Sequence, residues 1–283
     1  MSILLDGKLV STKIKEDISN KCASLFNKHK IVPKLAIVIV GDDPASQIYV
    51  ASKERACAQV GIESITVRLS KDSSQTEVET AVLDLAKRAD VNGLMVQLPL
   101  PRGLSERSVL ECIPVEKDVD GLTFLSGGQC LYTGEGFTPC TPRGIIEILK
   151  HYNVELAGKH AVIVGRSNLV GKPIALKLLQ ENATVTLCHS KTPDLQYFTK
   201  QADILVVAVG KKHIVTADMV KDGCVVVDVG INRIDGKLYG DVDFENVSSI
   251  ASHITPVPGG VGVMTVTMLL LNTLDACIRQ NNL

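Results

Sequence analysis

Tyr49 and Lys53 form the first pair of side chains whose types and spacing could support chemistry. They lie four residues apart in the segment YVASKERA, so on a helix they share one face. Two side chains on one face of a helix can flank the same ligand. An ordinary exposed helix carries the same residue types, so the spacing alone leaves both interpretations open.

Gln97 and the acidic pair Asp118 and Asp120 are the next polar candidates. Gln97 ends a predicted buried strand in VQLPLP, and ligands of α/β proteins commonly bind at the carboxyl ends of strands. Asp118 and Asp120 lie in KDVDG, where a carboxylate could contact a ligand. The alternatives are structural: an amide that satisfies backbone groups at the strand end, and a tight aspartate turn before Gly121.

The segment HAVIVGRSNLVGKP is a candidate phosphate-binding turn. Gly165 ends an aliphatic strand and Gly171 begins a helix, whose first N–H groups and dipole would favour a diphosphate. The general G-x-G-x-x-G pattern is not met. Arg166 occupies the variable position after Gly165, and Ser167 stands where the pattern has its second glycine. A strand-to-helix turn without a ligand fits the pattern equally well.

The strand that follows this turn indicates the type of dinucleotide. NAD sites usually carry Asp or Glu about 20 residues after the glycines, bound to the ribose hydroxyls. Here the strand ends in His189, Ser190 and Lys191, and Arg166 could reach the same place. Cations and a hydroxyl suit an added 2′-phosphate, so the sequence predicts NADP rather than NAD.

Alternating helices and strands must position these residues. In the first half we predict helices at 12–30, 44–60 and 74–89 and strands at 35–40, 65–69 and 93–97, with Asp43 capping the second helix and Pro44 opening it. In the second half we predict a helix from Pro142 to His151 capped by Thr141, strands at 160–164, 184–188, 203–209 and 224–229, and helices at 171–182 and 264–279.

A helix between successive strands implies parallel pairing and an α/β fold. At about 150 residues per domain, 283 residues make roughly two domains. The proline- and glycine-rich stretch 99–142 is interpreted as a short helix and the connection between the domains. The helix after Met264 could pack on either domain.

Composition excludes several other classes of protein. Apolar residues make up 45% and charged residues 22%, which is typical of a globular protein, and the net charge of −1 gives no indication of a nucleic-acid site. The eight cysteines and six histidines show no zinc-ligand spacing, so we predict no metal and expect reduced, mostly buried thiols. We expect neither a signal peptide nor a membrane-spanning helix.

Five segments together resemble the bifunctional methylenetetrahydrofolate dehydrogenase/methenyltetrahydrofolate cyclohydrolase family: YVASKERA, VQLPLP, KDVDG, GRSNLVGKP and ITPVPGGVGVMT. They occur in the family's order and span essentially the entire chain. The resemblance implies an N-terminal α/β catalytic domain at 1–138, completed by the C-terminal helix 264–283, and a C-terminal Rossmann-type NADP-binding domain at 139–263. It also implies an active site in the interdomain cleft.

The resemblance assigns roles residue by residue. It implies that Lys53 is catalytic and acts with Tyr49, Gln97 and Asp120, that Tyr49 stacks on the folate, and that Asp120 binds the pterin. The remaining implied contacts are with folate, by Pro258, Gly259 and Gly262, and with NADP, by Gly165, Arg166, Ser167, Ser190 and Ile231.

The implied function is NADP-dependent oxidation of 5,10-methylenetetrahydrofolate followed by hydrolysis to 10-formyltetrahydrofolate, within one-carbon metabolism that serves purine, histidine and methionine biosynthesis. The family implies tetrahydrofolate derivatives as ligands, a homodimer and a cytoplasmic location. The alternatives are a member with dehydrogenase activity only, a shikimate or amino-acid dehydrogenase-like NADP oxidoreductase, and a dinucleotide-sensing or scaffolding protein without catalysis.

Overall fold

The computed structural model describes residues 2–283, whose contacts group into two units. The glycine-loop unit comprises the chain up to Thr12 and Pro139–Thr265, and the tyrosine–lysine unit comprises Lys13–Thr138 and Val266–Leu283. In chain order, the elements are β1 (Ile3–Leu4), α1 (Gly7–His29), β2 (Lys34–Val40), α2 (Pro44–Val60), β3 (Glu63–Leu69), α3 (Gln75–Lys87), β4 (Gly93–Val96), α4 (Glu106–Leu110), α5 (Phe124–Tyr132), α6 (Cys140–His151), β5 (His160–Val164), α7 (Gly171–Gln180), β6 (Thr184–Cys188), α8 (Leu195–Thr199), β7 (Ile204–Val207), β8 (Val225–Asp228), β9 (Asn232–Ile234), β10 (Lys237–Tyr239), α9 (Phe244–Val247), β11 (His253–Ile254) and α10 (Met264–Gln280).

The tyrosine–lysine unit is built on a parallel sheet with strand order β3-β2-β4. The central strand β2 is the aliphatic sequence KLAIVIV, and every residue from Leu35 to Val40 is buried. Such a strand is covered on both faces, as expected for parallel pairing between crossover helices. Its core continues into α3 and β4 through Val78, Val82 and Leu94.

The glycine-loop unit contains a longer parallel sheet with strand order β1-β11-β8-β7-β5-β6. Strands β9 and β10 form an antiparallel hairpin, which lies between β8 and α9 in the sequence. The sheet core is aliphatic, with Val162, Leu205 and Val226 fully buried on neighbouring strands. The predicted α/β fold with parallel pairing is confirmed, and strands β5 and β6 have the bounds that the sequence indicated.

Three local expectations differ from the structure. Residues before Thr12 group with the glycine-loop unit, not with residues 13–138, because β1 pairs with β11. Helix α6 begins at Cys140 after Pro139, so Thr141 lies inside its first turn and does not cap it; its hydroxyl instead shares a 3.1 Å hydrogen bond with that of Thr265. The stretch 99–142, predicted to hold one short helix, contains both α4 and α5.

The C-terminal helix α10 belongs to the core. Within residues 2–283, Val261–Gln280 is the segment long and apolar enough to cross a membrane, yet 61% of its most apolar window is buried inside the protein. From Val266 onward the chain groups with the tyrosine–lysine unit, where Asn272 Nδ2 donates to the carbonyl of Val119 at 2.6 Å. Its apolar composition therefore reflects burial in that unit.

Candidate functional site

Helix α2 carries Tyr49 and Lys53 and is fixed at both ends. At its start, the carboxylate of Asp43 accepts a hydrogen bond from the Ser46 N–H at 2.8 Å, and Pro44 occupies the first turn. At its end, Gly61 adopts the left-handed conformation with φ of 80°, and its N–H donates to the Cys57 carbonyl. The predicted bounds and cap are confirmed, so both side chains project from a well-defined helix.

Lys53 and Gln97 meet although they come from different elements. The Lys53 ammonium Nζ donates to Gln97 Oε1 at 2.8 Å. Gln97 follows β4, and its Nε2 donates to the carbonyl of Leu98 at 2.7 Å. Because that bond commits the amide nitrogen, the amide oxygen faces the lysine. The structure thus brings these two predicted residues together and fixes their orientation.

Tyr49 lies one helical turn before Lys53 and is 60% exposed. An aromatic ring this exposed, beside a lysine, offers a flat apolar surface with a polar end. Its exposure is compatible with stacking on a planar ligand, the role that the family resemblance implies.

The two aspartates of KDVDG differ sharply in their surroundings. Asp118 is fully buried and accepts hydrogen bonds from the Thr123 N–H at 2.8 Å and the Ser126 hydroxyl at 2.6 Å. These bonds organise the entry into α5, so Asp118 has a structural role. Asp120 is partly exposed. Of the pair, it is the carboxylate that a ligand can approach.

The turn after β5 is closely packed. A β-carbon added at Gly165 would overlap the carbonyl oxygen of Ala208, so only glycine fits there. The hydroxyl of Ser167 accepts from the N–H groups of Val170 at 3.1 Å and Gly171 at 3.3 Å. The sequence indicates that N–H groups at this helix start could bind a phosphate. In the structure, two of them donate to the Ser167 hydroxyl instead. Arg166 and Ser167 themselves are exposed.

The end of β6 carries the groups expected for a 2′-phosphate. A tight turn forms there because the His189 N–H donates to the Thr192 hydroxyl at 2.8 Å and the Lys191 N–H donates to His189 Nδ1 at 3.1 Å. Ser190 and Lys191 are exposed on this turn. The residues present thus fit a phosphorylated adenosine ribose better than a bare one, which an acidic side chain would bind.

The remaining predicted residues line one cavity of the glycine-loop unit, of about 190 Å³. The residues that surround it belong to the segments after β8 and β11, and they include Ile231, Pro258, Gly259 and Gly262. A β-carbon at Gly262 would lie 3.3 Å from Ile231 Cδ1. The structure therefore brings the residue predicted for NADP next to those predicted for folate.

Two buried carboxylates near this cavity were not predicted. Asp228, 3% exposed, accepts from the N–H groups of Gly230, Asp241 and Val242, each at 2.9 Å. Burial raises its pKa to about 6, although those three donors oppose the shift. Asp241 is fully buried and accepts backbone N–H groups of the loop after β7. The sequence does contain a signal for Asp228, because it directly follows the apolar run CVVV, which is typical of a buried strand.

No group of three or more His, Cys, Asp or Glu side chains that could hold a metal ion occurs within residues 2–283. The candidate sites consist instead of an amine, amides, hydroxyls, single carboxylates and backbone groups. Such a set binds organic ligands by stacking and hydrogen bonding.

Known proteins resemble the chain over its full length. The family profiles described as "Tetrahydrofolate dehydrogenase/cyclohydrolase, catalytic domain" and "Tetrahydrofolate dehydrogenase/cyclohydrolase, NAD(P)-binding domain" match residues 5–120 and 139–281. A protein of Halalkalibacterium halodurans named "Bifunctional protein FolD" is 51% identical over 275 residues, which cover 97% of this chain and 98% of that protein.

Solved structures show the same likeness. The bifunctional enzyme FolD, methylenetetrahydrofolate dehydrogenase/cyclohydrolase, from Campylobacter jejuni has a TM-score of 0.97 at 48% identity, with 100% of both chains covered. The N5,N10-methylenetetrahydrofolate dehydrogenase-cyclohydrolase of Trypanosoma brucei, complexed with NADP cofactor and inhibitor, has a TM-score of 0.93 at 35% identity. The match covers 100% of this chain and 99% of that one.

Proposed function

The chain belongs to the tetrahydrofolate dehydrogenase/cyclohydrolase family, and we propose how its residues carry out the two reactions of that family. The enzyme oxidises 5,10-methylenetetrahydrofolate to 5,10-methenyltetrahydrofolate with NADP⁺, and it hydrolyses the methenyl product to 10-formyltetrahydrofolate. The observation that carries the assignment of residues is the hydrogen bond between Lys53 Nζ and Gln97 Oε1, one helical turn from Tyr49.

Folate binding is assigned to groups whose chemistry matches the pterin and its surroundings. Tyr49 stacks on the flat ring system, for which its 60% exposure leaves room. Asp120 accepts the adjacent N–H donors of the 2-amino-4-oxo ring, a geometry that suits one carboxylate. Pro258, Gly259 and Gly262, which line the cavity of the glycine-loop unit, are the further residues assigned to folate.

NADP is held by the glycine-loop unit through Gly165, Arg166, Ser167, Ser190 and Ile231. Bound there, it supplies the acceptor for the hydride of the one-carbon bridge. The protein contributes alignment, because this step requires no acid or base. Glycine at position 165 lets the turn pack against the carbonyl of Ala208, and the exposed Ser190 beside Lys191 suits the 2′-phosphate.

Hydrolysis requires proton transfer, and Lys53 is the group assigned to it. Water bonds to the cationic methenyl carbon and loses a proton, which gives a neutral hydroxyl adduct. The C–N5 bond of the adduct then breaks, its hydroxyl gives up its proton to become the formyl carbonyl, and N5 takes up a proton, so one proton is released overall. A cationic substrate next to Lys53 disfavours a second positive charge, which favours the neutral amine that can accept the proton of water. Gln97, held by Leu98, keeps the Lys53 nitrogen in place.

A product assay tests the proposal. The protein is incubated with methylenetetrahydrofolate and NADP⁺, and NADPH, the methenyl compound and the formyl compound are followed together. We expect all three, with the formyl compound as end product. Accumulation of the methenyl compound without hydrolysis would indicate a family member with dehydrogenase activity only. Turnover of shikimate or an amino acid in place of folate would indicate a shikimate or amino-acid dehydrogenase-like oxidoreductase. Binding of NADP⁺ without any turnover would indicate a dinucleotide-sensing protein. Equal efficiency with NAD⁺ would contradict the cofactor preference.

The proposal extends to a cytoplasmic homodimer. Strand β6 is an edge of its sheet and exposes Leu187, while Leu169 and Leu179 are also exposed on the same unit. These apolar side chains offer a surface that a second copy could cover. Light scattering after size-exclusion chromatography should give twice the 30.4 kDa of one chain, and a mass of one chain would contradict the homodimer.

A further inference from the structure

The loop of residues 208–211 lies where α/β sheets bind dinucleotides. From β5 the chain passes to β6 on one side and then to β7 on the other, so the strand order reverses between β5 and β7. Ligands bind outside the carboxyl ends of the strands at such a reversal. The Gly165 turn leaves β5 there, and its contact with the Ala208 carbonyl shows that the two loops abut.

Asp241 holds this loop from below. Its carboxylate accepts three consecutive backbone N–H groups, from Val209 at 2.7 Å, Gly210 at 2.9 Å and Lys211 at 2.8 Å. Three consecutive N–H groups that converge on one point form an anion-binding concavity. Here a carboxylate of the chain itself fills that concavity, and its side chain is fully buried.

The base of the β9–β10 hairpin fixes Asp241 in turn. Asn232 Nδ2 donates to Asp241 Oδ1 at 2.9 Å, and the Asp241 N–H donates to Asp228 at 2.9 Å. Glycines allow this approach: a β-carbon at Gly230 would overlap the Asp241 carboxylate, and one at Gly240 would overlap the Asp228 carboxylate. The carboxylate therefore cannot shift without moving the hairpin base.

We infer that Asp241 is a positioning residue for the dinucleotide, acting through the 208–211 loop as one wall of the cofactor site. This inference rests on the proposed NADP-dependent activity. Asp241 does not contact the cofactor, because its side chain is fully buried and its oxygens are committed to the loop and Asn232. Its effect is to keep the loop in the conformation that binds.

Asp241→Asn changes this arrangement with almost no change in size. One carboxylate oxygen becomes an NH₂ group, which faces backbone donors, so at least one loop N–H loses its acceptor. The loop then populates other conformations. The apparent Kd for NADP⁺ rises as the fraction of molecules with the binding-competent loop conformation falls. Hydrolysis of the methenyl compound consumes no nucleotide, so we expect it not to depend on this loop.

The experiment measures NADP⁺ affinity and both activities in parent and Asp241→Asn proteins. Calorimetric titration with NADP⁺ gives the Kd without turnover, and separate assays give the KM for NADP⁺ and the rate of methenyltetrahydrofolate hydrolysis. We expect the Kd and the KM for NADP⁺ to rise about tenfold or more, while the hydrolysis rate stays within about twofold. An unchanged Kd, or a parallel loss of hydrolysis, would overturn the inference.

Asp243→Asn is the matched control. It makes the same chemical change two residues further on, where the carboxylate accepts from Asn246 Nδ2 at 2.7 Å, and it should keep the parental Kd. If Asp241→Asn does not fold, Asn232→Ala tests the inference in its place. This variant removes one of the four hydrogen-bond donors to the Asp241 carboxylate, and the Kd for NADP⁺ should rise about threefold while the hydrolysis rate is unchanged. Parent protein that lacks folate turnover would refute the proposed function, whereas the titrations still decide this inference.

Discussion

At the scale of single residues, the site depends on an amide whose two ends have different partners. Gln97 Nε2 donates to Leu98 and Gln97 Oε1 accepts from Lys53, so the amide cannot turn without losing both bonds. A lysine side chain has four rotatable bonds and is costly to immobilise. The bond to Gln97 offsets part of that cost before substrate binds, which places the amine for proton transfer.

Lys53→Met tests the role of the amine. Methionine keeps a long unbranched side chain on α2 but can neither accept a proton nor donate to Gln97. We expect methenyltetrahydrofolate hydrolysis to fall by about 10²–10⁴, the usual contribution of general acid–base catalysis. Lys87→Met, on the exposed side of α3, is the control and should hydrolyse at the parental rate. A Lys53→Met protein that hydrolyses normally would refute the assignment.

Asp228 should make stability depend on pH in an unusual direction. Burial raises its pKa in the folded protein to about 6 from a reference of 3.8, so the folded state binds the proton more tightly than the unfolded chain. Its contribution is fully present below pH 4 and is lost as the pH rises through 6. For a side chain 3% exposed, the roughly two-unit shift corresponds to about 3 kcal/mol.

Urea unfolding of the parent and Asp228→Asn proteins between pH 4 and 7 measures this contribution. The difference in unfolding free energy, parent minus variant, should fall as the pH rises, since only the parent carries the titrating carboxyl. Groups such as Asp203, whose pKa is lowered by the hydrogen bond from Lys221, titrate in both proteins and cancel. A difference that is constant over this range would contradict the raised pKa.

Some of these roles could be anticipated from the sequence and others could not. The spacing of Tyr49 and Lys53 is local, so a helix period suffices to place them on one face. Asp118 and Asp120 cannot be told apart in the sequence KDVDG. Their different roles follow from the folded structure, where Asp118 accepts hydrogen bonds at the start of α5. Asp241 was missed because its loop donors lie 30 to 32 residues away in the chain.

At the scale of elements, α2 shows what local chemistry decides. Its bounds agree with prediction because both ends carry a side-chain or backbone signal within the helix's own neighbourhood, at Asp43, Pro44 and Gly61. The start of α6 was placed too late, because no side chain caps that helix and its first residue follows directly on Pro139. Helix ends without a local cap depend on tertiary packing.

Two glycine substitutions in the tyrosine–lysine unit should shift stability in opposite directions. Gly61→Ala forces alanine into the left-handed conformation that ends α2, which should cost about 1 kcal/mol. Gly127→Ala lies inside α5 with open space around its β-carbon, and it should stabilise by about 0.5–1 kcal/mol through helix propensity. Urea midpoints followed by circular dichroism compare them, and equal shifts would contradict the conformational argument.

At the scale of the whole molecule, each unit has its own aliphatic core, and the thiols are part of both. Cys188 and Cys224 lie in the core of the glycine-loop unit, while Cys22, Cys57 and Cys277 are buried in the tyrosine–lysine unit. In a chain with 4% aromatic residues, cysteine is one of the small apolar residues available to fill such cores. The sequence predicted buried thiols from their lack of ligand spacing, and seven of the eight are buried.

A thiol titration should therefore count one accessible cysteine in the folded protein. Cys112 is the partly exposed one. The thiolate is the reactive form, and burial raises the pKa of Cys57 and Cys224 to about 12 and that of Cys22 to about 11, so these groups stay protonated at pH 8. With a chromogenic disulfide reagent we expect one thiol to react in native protein and eight in denaturant.

Cys112→Ser is the matched test of that count, because it removes the accessible thiol and leaves the buried ones. The native variant should show no fast reaction, and the denatured variant should show seven thiols. Two or more thiols that react quickly in the native parent would mean that one of the cores opens on the timescale of labelling, since a buried thiol reacts only through such opening. Labelling sites identified by mass spectrometry would then show which unit opens, the one with Cys188 and Cys224 or the one with Cys22, Cys57 and Cys277.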